Sequence, residues 1–397
     1  MSATRQVNDT MSANVPVLLL ALELSASNWL LGFGTGLGKC RRVTLAAGDM
    51  PGLAREIALA KAKFKLPEQC GVVSVYEAGR DGFWIHRWLL ARGVESHVID
   101  SASIEVDRRR RRAKTDRLDV EKLLSLLARH EAGEANVIRP VHAPTAEEED
   151  RRQLHRELEV LKQEQGAHVV RIESLLATLG LPAPLINREF PAQLAKLRQV
   201  NGAPVPPGLR ERLLREFERW QCVHKQVLKL ERQRALRIRT EETPDIVQVR
   251  QLLEVRGIGL QGAWILAQEL FSWRKLKNRR QVGAVAGLTG TPYSSGDSSR
   301  EQGISKAGNR RVRALAVELA WLWLRYQPAS ALTRWFIERF GQGKRQRKIG
   351  IVALARKLLV ALWRWVTRGE QPPGATLVDW RDKLRITRRT KIAGATT

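Results

Sequence analysis

Cysteine is scarce in this chain, and long apolar runs are absent. Cys40, Cys70 and Cys222 are the only cysteines in 397 residues; an odd number at wide spacing excludes a disulfide framework and a cysteine-held structural zinc. Each reads as a small buried hydrophobe. No segment offers the roughly 20 uninterrupted apolar residues that crossing a bilayer requires. The run Val17 to Leu22 stops at Glu23 and follows Asp9 and Arg5, so it lacks the charged start and cleavage site of a secretory signal. A soluble, cytoplasmic protein is expected. The seven histidines are scattered, none beside the serine-rich stretch near residue 295, which leaves a serine-histidine-aspartate triad unsupported. Acidic residues are the scarcer charge, 41 against 68 Lys and Arg, for a net +27. A surplus that large suits a polyanionic partner, and nucleic acid is the natural candidate.

The length predicts two or three domains with separate cores. From Val17 to Asp100, short apolar runs (Val17 to Leu22, Asn28 to Phe33, Cys40 to Ala46, Val72 to Tyr76, Ser96 to Ile99) read as strands. Met50 to Phe64 and Phe83 to Ala91 read as helices between them, making a mixed sheet flanked by helices. The run Gly32-Phe-Gly-Thr-Gly-Leu-Gly-Lys39 lacks the spacing of a phosphate loop and is read as a hairpin turn. Glu147 to Leu179 carries Leu154, Leu158, Leu161, Gln165, His168, Ile172, Leu175 and Leu179 at coiled-coil spacing. A second helix, Leu209 to Arg237, is its expected antiparallel or intersubunit partner. The last third reads as helical: a helix-turn-helix over Gln251 to Leu270 around Gly257-Ile-Gly259, then helices Arg310 to Arg325 and Lys344 to Arg368, closed by Pro372-Pro373.

Carboxylates stand where phosphodiester chemistry could use them. Magnesium or manganese needs acidic oxygens converging from separate elements. Glu23 follows the first strand, Glu77 follows the fourth, and Asp116 and Asp119 sit three apart, on one face of a helix. Each alone is more often a solvated or capping acid. Two like charges beside Arg108, Arg109, Arg110, Arg111, Arg112 and Lys114 make a stronger case, because crowding them is costly without a cation.

The stretch Ala286 to Gly296 reads as a glycine-bearing loop with Ser295 at its turn. A serine attacking phosphorus needs nearby positive charge or backbone donors, and Lys306, Asn309, Arg310, Arg311 and Arg313 follow at the start of a helix. A flexible polar loop explains the serines equally well. Amides at Gly257 and Gly259 can hold a phosphate without reading bases.

These motifs resemble those of the transposases of the insertion-sequence family numbered 110. Lys114-Thr-Asp-Arg-Leu-Asp119 matches the family's Lys-Thr-Asp-x-x-Asp, Arg256-Gly-Ile-Gly259 is similar to its Pro-Gly-Ile-Gly, and Ala286 to Gly296 matches its Ala-Gly-Leu…Ser-Gly. Glu77 to Arg80 resembles its second acidic motif loosely. Leu22-Glu-Leu-Ser25 stands where the family has Ile-Asp-x-Ser, so Glu23 supplies a carboxylate one methylene longer.

The resemblance implies an α/β ribonuclease-H/RuvC-like domain over 15–140, after a disordered 1–14. A coiled-coil helical linker over 141–245 would follow, then a mostly α serine domain with a helix-hairpin-helix-like turn over 246–370 and a basic flexible tail over 371–397. It implies a DNA transposase with Glu23, Glu77, Asp116 and Asp119 on Mg²⁺ or Mn²⁺ and Ser295 as nucleophile. The implied partners are donor and target DNA, a structured bridge noncoding RNA, and further copies of the chain as a dimer or tetramer, in a bacterial cytoplasm at the nucleoid. Two rivals remain: a metal-only junction endonuclease, and a non-enzymatic RNA-binding scaffold.

Overall fold

The computed structural model describes residues 16–36, 38, 40–79, 82–99, 116–135, 137–295 and 298–384; for Asp116, 292–295 and 298–302 the backbone alone is described. Arg108 to Arg112, Lys114 and the terminal segments 1–15 and 385–397 lie outside those residues. The chain forms two compact units, 1–146 and 147–397.

In the first unit β1 (Leu18–Leu24), β2 (Asn28–Gly34) and β3 (Arg41–Ala46) form an antiparallel meander. Helix α1 (Met50–Lys63), β4 (Val72–Glu77), α2 (Trp84–Leu90), β5 (Glu95–Ile99) and α3 (Asp116–Glu131) follow. The sheet order is β3-β2-β1-β4-β5, with β4 parallel to both β1 and β5. The central strands β1, β2 and β4 are mostly apolar because helices cover both faces. Leu18, Leu20, Leu22 and Tyr76 pack with Leu53, Ile85 and Leu89 of α1 and α2. Leu19, Ala21, Val73 and Val75 pack against Val120, Leu123, Leu124 and Leu127 of α3. Each such buried Leu, Ile or Val side chain contributes roughly 1.5–3 kcal/mol by leaving water. Gly32 lets α3 approach: a Cβ there would stand 2.5 Å from Val120 Cγ1.

Among its described residues the second unit is built of helices and one hairpin. Its elements are α4 (Ala146–Asp150), α5 (Gln153–Ala177), α6 (Phe190–Lys196), α7 (Pro207–Thr240), α8 (Pro244–Glu254), α9 (Leu260–Leu266), a π-helical turn (Ala267–Phe271) and α10 (Arg279–Val285). The strands β6 (Gly290–Ser295) and β7 (Ser298–Ile304) precede α11 (Arg310–Tyr326), α12 (Ala331–Phe340) and α13 (Lys344–Arg368). Helices α5 and α7 run antiparallel: Lys162 meets Glu231 at 2.9 Å, Gln165 meets His224 at 2.9 Å, and His168 meets Glu216 at 2.7 Å. The two polar residues of the apolar seam are thus paired across it. Near the end of α5 the fully buried position is Leu176, with Leu175 only half-buried. A core of Val249, Leu252, Trp264, Leu319, Trp323, Leu354, Leu358 and Leu362 joins α8, α9, α11 and α13.

Four expectations need correction. Of the cysteines only Cys70 is buried; Cys40 is half-buried and Cys222, on α7, is exposed. The helix expected from Glu147 breaks at Arg151 and Arg152 into α4 and α5. Ser295 ends a strand rather than sitting in an irregular loop. Gly290 to Ser295 pairs with Ser298 to Ile304, and the β-forming Thr291 and Tyr293 outweigh the glycines once a partner strand is present. Glu23 lies within β1, opposite Leu30, and Glu77 is the last residue of β4: the β1–β2 ladder runs on to Leu24, close to the turn at 25–27.

Candidate functional site

Strand register sets two acids of the first unit, Glu23 and Glu77, beside each other. Leu22 of β1 pairs with Tyr76 of β4 in the parallel ladder, so Glu23 and Glu77 stand side by side at the carboxyl ends of adjacent strands. Alternation along each strand puts both on the face of Leu19, Ala21, Val73 and Val75, which α3 covers. Val120 of α3 lies against Gly32, the partner of Ala21, and Leu124 lies against Gly34, the partner of Leu19. Helix α3 therefore runs antiparallel to β1. Its first turn, which carries Asp116 and Asp119, comes level with Glu23. Glu23, Glu77 and Asp119 are all half-buried.

Carboxylates at these element ends are the hard oxygen donors that magnesium or manganese takes, and Glu23, Glu77 and Asp119 are partly removed from water. The basic run Arg108 to Arg112 and Lys114 precedes α3 in sequence and lies outside the described residues.

In the second unit, hydrogen bonds tie together the stretch before Ser295 and the stretch after it. Asn309 N donates to Val285 O (2.7 Å), Lys306 N to Gly287 O (3.1 Å) and Ser305 N to Thr289 O (2.8 Å). The glycines are required here. Gly287 has φ +64° and its Cβ would fall 2.0 Å from Ala307 O; Gly308 has φ +93° and its Cβ would fall 2.3 Å from Val285 O. From this platform β6 and β7 project, with Ser295 paired to Ser298 at the far end. Among the cations, Lys306, Arg310 and Arg311 are exposed. Arg311 pairs with Glu159, and Arg313 bridges Ala286 O (3.3 Å) and Lys306 O (2.8 Å). Gly257, at φ +95°, turns the chain between α8 and α9 against Tyr326, and Gly259 is the exposed N-cap of α9. Lys383 Nζ donates to Val255 O and Ile258 O of that turn, both at 2.8 Å, and burial lowers its pKa to about 8.

Residues 249–334 match the family model of the transposase IS116/IS110/IS902 family. A protein of Sinorhizobium fredii named as the transposase y4rJ is 42% identical over 375 residues, covering 91% of this chain and 94% of the relative. The chain belongs to the IS116/IS110/IS902 family of insertion-sequence transposases. More distant relatives include the transposase of insertion sequence element IS1328 of Yersinia enterocolitica, 28% identical over 54% of this chain and 62% of that protein. A protein of Pseudomonas aeruginosa named as a family 20 transposase is 29% identical over 60% of this chain and 69% of its own length.

The region matched by the family model runs from α8 into α12 and contains Gly257, Gly259, Ser295 and the cations from Lys306 to Arg313. It also contains a residue that the sequence reading passed over, Glu269. This side chain is 1% exposed in the π-helical turn and accepts from His155 (2.9 Å), Arg156 (2.9 and 3.2 Å) and Asn309 (2.9 Å). Burial pushes its carboxyl up, but the hydrogen bonds and charges of His155 and Arg156 outweigh that and hold it well below the usual carboxylate range. Beside it, buried Asp245 accepts from Gln268 (2.6 Å) and faces Arg151 (3.4 Å). The available signal was an acid set in the apolar run Trp264 to Phe271, which must find partners if the run is buried.

Proposed function

We propose that this family member is a DNA transposase in which Glu23, Glu77, Asp116 and Asp119 hold Mg²⁺ or Mn²⁺ and Ser295 is the nucleophile. The observation that carries the reading is the register at the carboxyl ends of β1 and β4, which gathers Glu23, Glu77 and the first turn of α3 on one face. A bound divalent ion supplies charge neutralisation at a scissile phosphate. The carboxylates hold that ion, and the half-burial of Glu23, Glu77 and Asp119 limits competing water.

Ser295 ends a strand on a rigid, cross-bonded platform, a support suited to presenting a hydroxyl. In the proposed step its oxygen bonds to phosphorus and its proton passes to solvent. The departing strand oxygen takes up a proton and leaves as a hydroxyl. Attack by the hydroxyl of a second strand reverses the step, joins the strands and frees the serine. Exposed Lys306 and Arg310 would face backbone phosphates, and Gly257 and Gly259 would offer amides to them.

A structured bridge RNA pairing with donor and target DNA, and a dimer or tetramer assembled through α5 and α7, complete the proposal. So does the division into a RuvC-like 15–140, a helical linker 141–245 and a serine domain 246–370. The net charge of +27 supports a nucleic-acid partner, and affinity should then fall steeply with salt.

The test is strand joining by the full-length protein with DNA and the noncoding RNA transcribed beside its gene. Ser295→Ala and Asp119→Asn should each abolish joining, and a covalent protein–DNA adduct should form with the native chain and not with Ser295→Ala. Cleavage that survives in Ser295→Ala would instead establish the metal-only endonuclease. No cleavage or joining by the native chain, with RNA binding indifferent to chelator and to Asp119→Asn, would establish the scaffold.

A further inference from the structure

The first unit carries a cluster of ligating side chains at the end of α3 remote from the acids. His97 of β5 and His130 and Glu131 of the last turn of α3 bring one ligand atom each to within 4.8 Å of one another. The rings of His97 and His130 meet edge to face, 5.5 Å between centroids. His97 Nε2 is shielded from solvent and makes no hydrogen bond. The nearest acid, Glu95, has its Oε1 3.3 Å away. Glu95 can pair with that nitrogen only when it carries a proton; in the other neutral tautomer the lone pair has no donor, which is costly unless a cation uses it.

We propose that His97, His130 and Glu131 bind a transition-metal ion, zinc by preference, as a structural clamp between β5 and α3. Two imidazoles and one carboxylate are the donor set of borderline ions, whereas magnesium and calcium favour all-oxygen sites. Tetrahedral zinc with bonds of about 2.0–2.1 Å requires ligand atoms roughly 3.3 Å apart. The contraction from 4.8 Å would fall to the side chains of exposed Glu131 and half-buried His130. The His97 imidazole is disposed to stay neutral, because burial lowers its pKa, and neutral imidazole is the ligating form.

The clamp is separate from the acids. Asp119 and His130 lie eleven residues apart on α3, roughly 16 Å along the helix axis. It nevertheless acts on the helix that carries them, since fixing the last turn of α3 to β5 sets how its first turn meets the ends of β1 and β4.

The experiment uses the full-length, untagged protein. After dialysis, mass spectrometry of bound metal should find close to one zinc per chain, and Co²⁺ substitution should give the intense visible bands of tetrahedral coordination. His130→Gln and Glu131→Gln, both at the end of a helix, should fold and lose zinc affinity at least tenfold, and zinc should raise the melting temperature of the native chain and not of His130→Gln. Asp119→Asn should retain zinc fully. A chain that binds no zinc, or variants at His130 and Glu131 that retain native zinc content, would overturn the proposal. So would loss of zinc in Asp119→Asn, and each of these results is independent of whether the acids catalyse strand joining.

Discussion

Asn309 and Glu269 are joined side chain to side chain: Asn309 Nδ2 donates to Glu269 Oε2 at 2.9 Å. The same asparagine caps α11, its Oδ1 accepting from Arg311 N (2.9 Å) and Val312 N (3.2 Å). One amide thus fastens the start of the cationic helix to a buried carboxylate forty residues earlier. Asn309→Asp keeps the cap acceptor but sets a second carboxylate against Glu269. It should be less stable than Asn309→Ser, which loses only the long-range bond, and by about 1–3 kcal/mol relative to the native chain. Denaturant midpoints of the three proteins decide it.

The depressed carboxyl of Glu269 makes a pH prediction. Its ordinary pKa is 4.5 and its folded value is lower. The stabilisation is therefore present above about 4.5, and it declines as pH falls from there toward the folded value, because the unfolded chain takes up the proton first. Thermal unfolding between pH 6 and pH 3 should show this decline, and Glu269→Gln should be less stable at neutral pH with a shallower loss on acidification. An unchanged acid slope in the variant would show that other carboxylates account for it.

Two glycines near Ser295 should respond differently to the same change. Gly308 has φ +93° and a Cβ would collide with Val285 O at 2.3 Å, whereas Gly303 has φ +90° with nothing within 4 Å. Gly303→Ala carries only the left-handed backbone cost, about 1–2 kcal/mol. Gly308→Ala must also break the Asn309–Val285 bond and should destabilise the second unit several times more. Melting temperatures of the two variants provide the comparison.

The seat of α3 can be tested by compensation. Gly32→Ala drives a methyl to 2.5 Å from Val120 Cγ1 and should cost about 1–3 kcal/mol by overpacking. Adding Val120→Ala should recover part of that loss, so the double-mutant cycle should show favourable coupling. Additive losses would mean that α3 does not rest on Gly32.

The sheet elements were legible because period-two alternation and short apolar runs are local signals. Met50 to Lys63 and Lys344 to Arg368 were legible because their apolar spacing is helical. The hairpin over Gly290 to Ile304 was not, since neither strand is apolar and its pairing depends on a partner on the same short stretch. Glu269 was missed for a related reason: its partners His155 and Arg156 are more than a hundred residues away.

Residue type and order alone determined the polyanion-seeking charge, the alternation of strands and helices, and which acids and which serine stand in motif positions. Tertiary structure decided that Glu23 and Glu77 share a face, that α3 runs antiparallel to β1 with its first turn beside them, and that Asn309 meets Glu269. Composition and periodicity report on each segment's own exchange of water for contacts. Register, helix direction and buried charge pairing are settled only when distant segments compete for the same interior space.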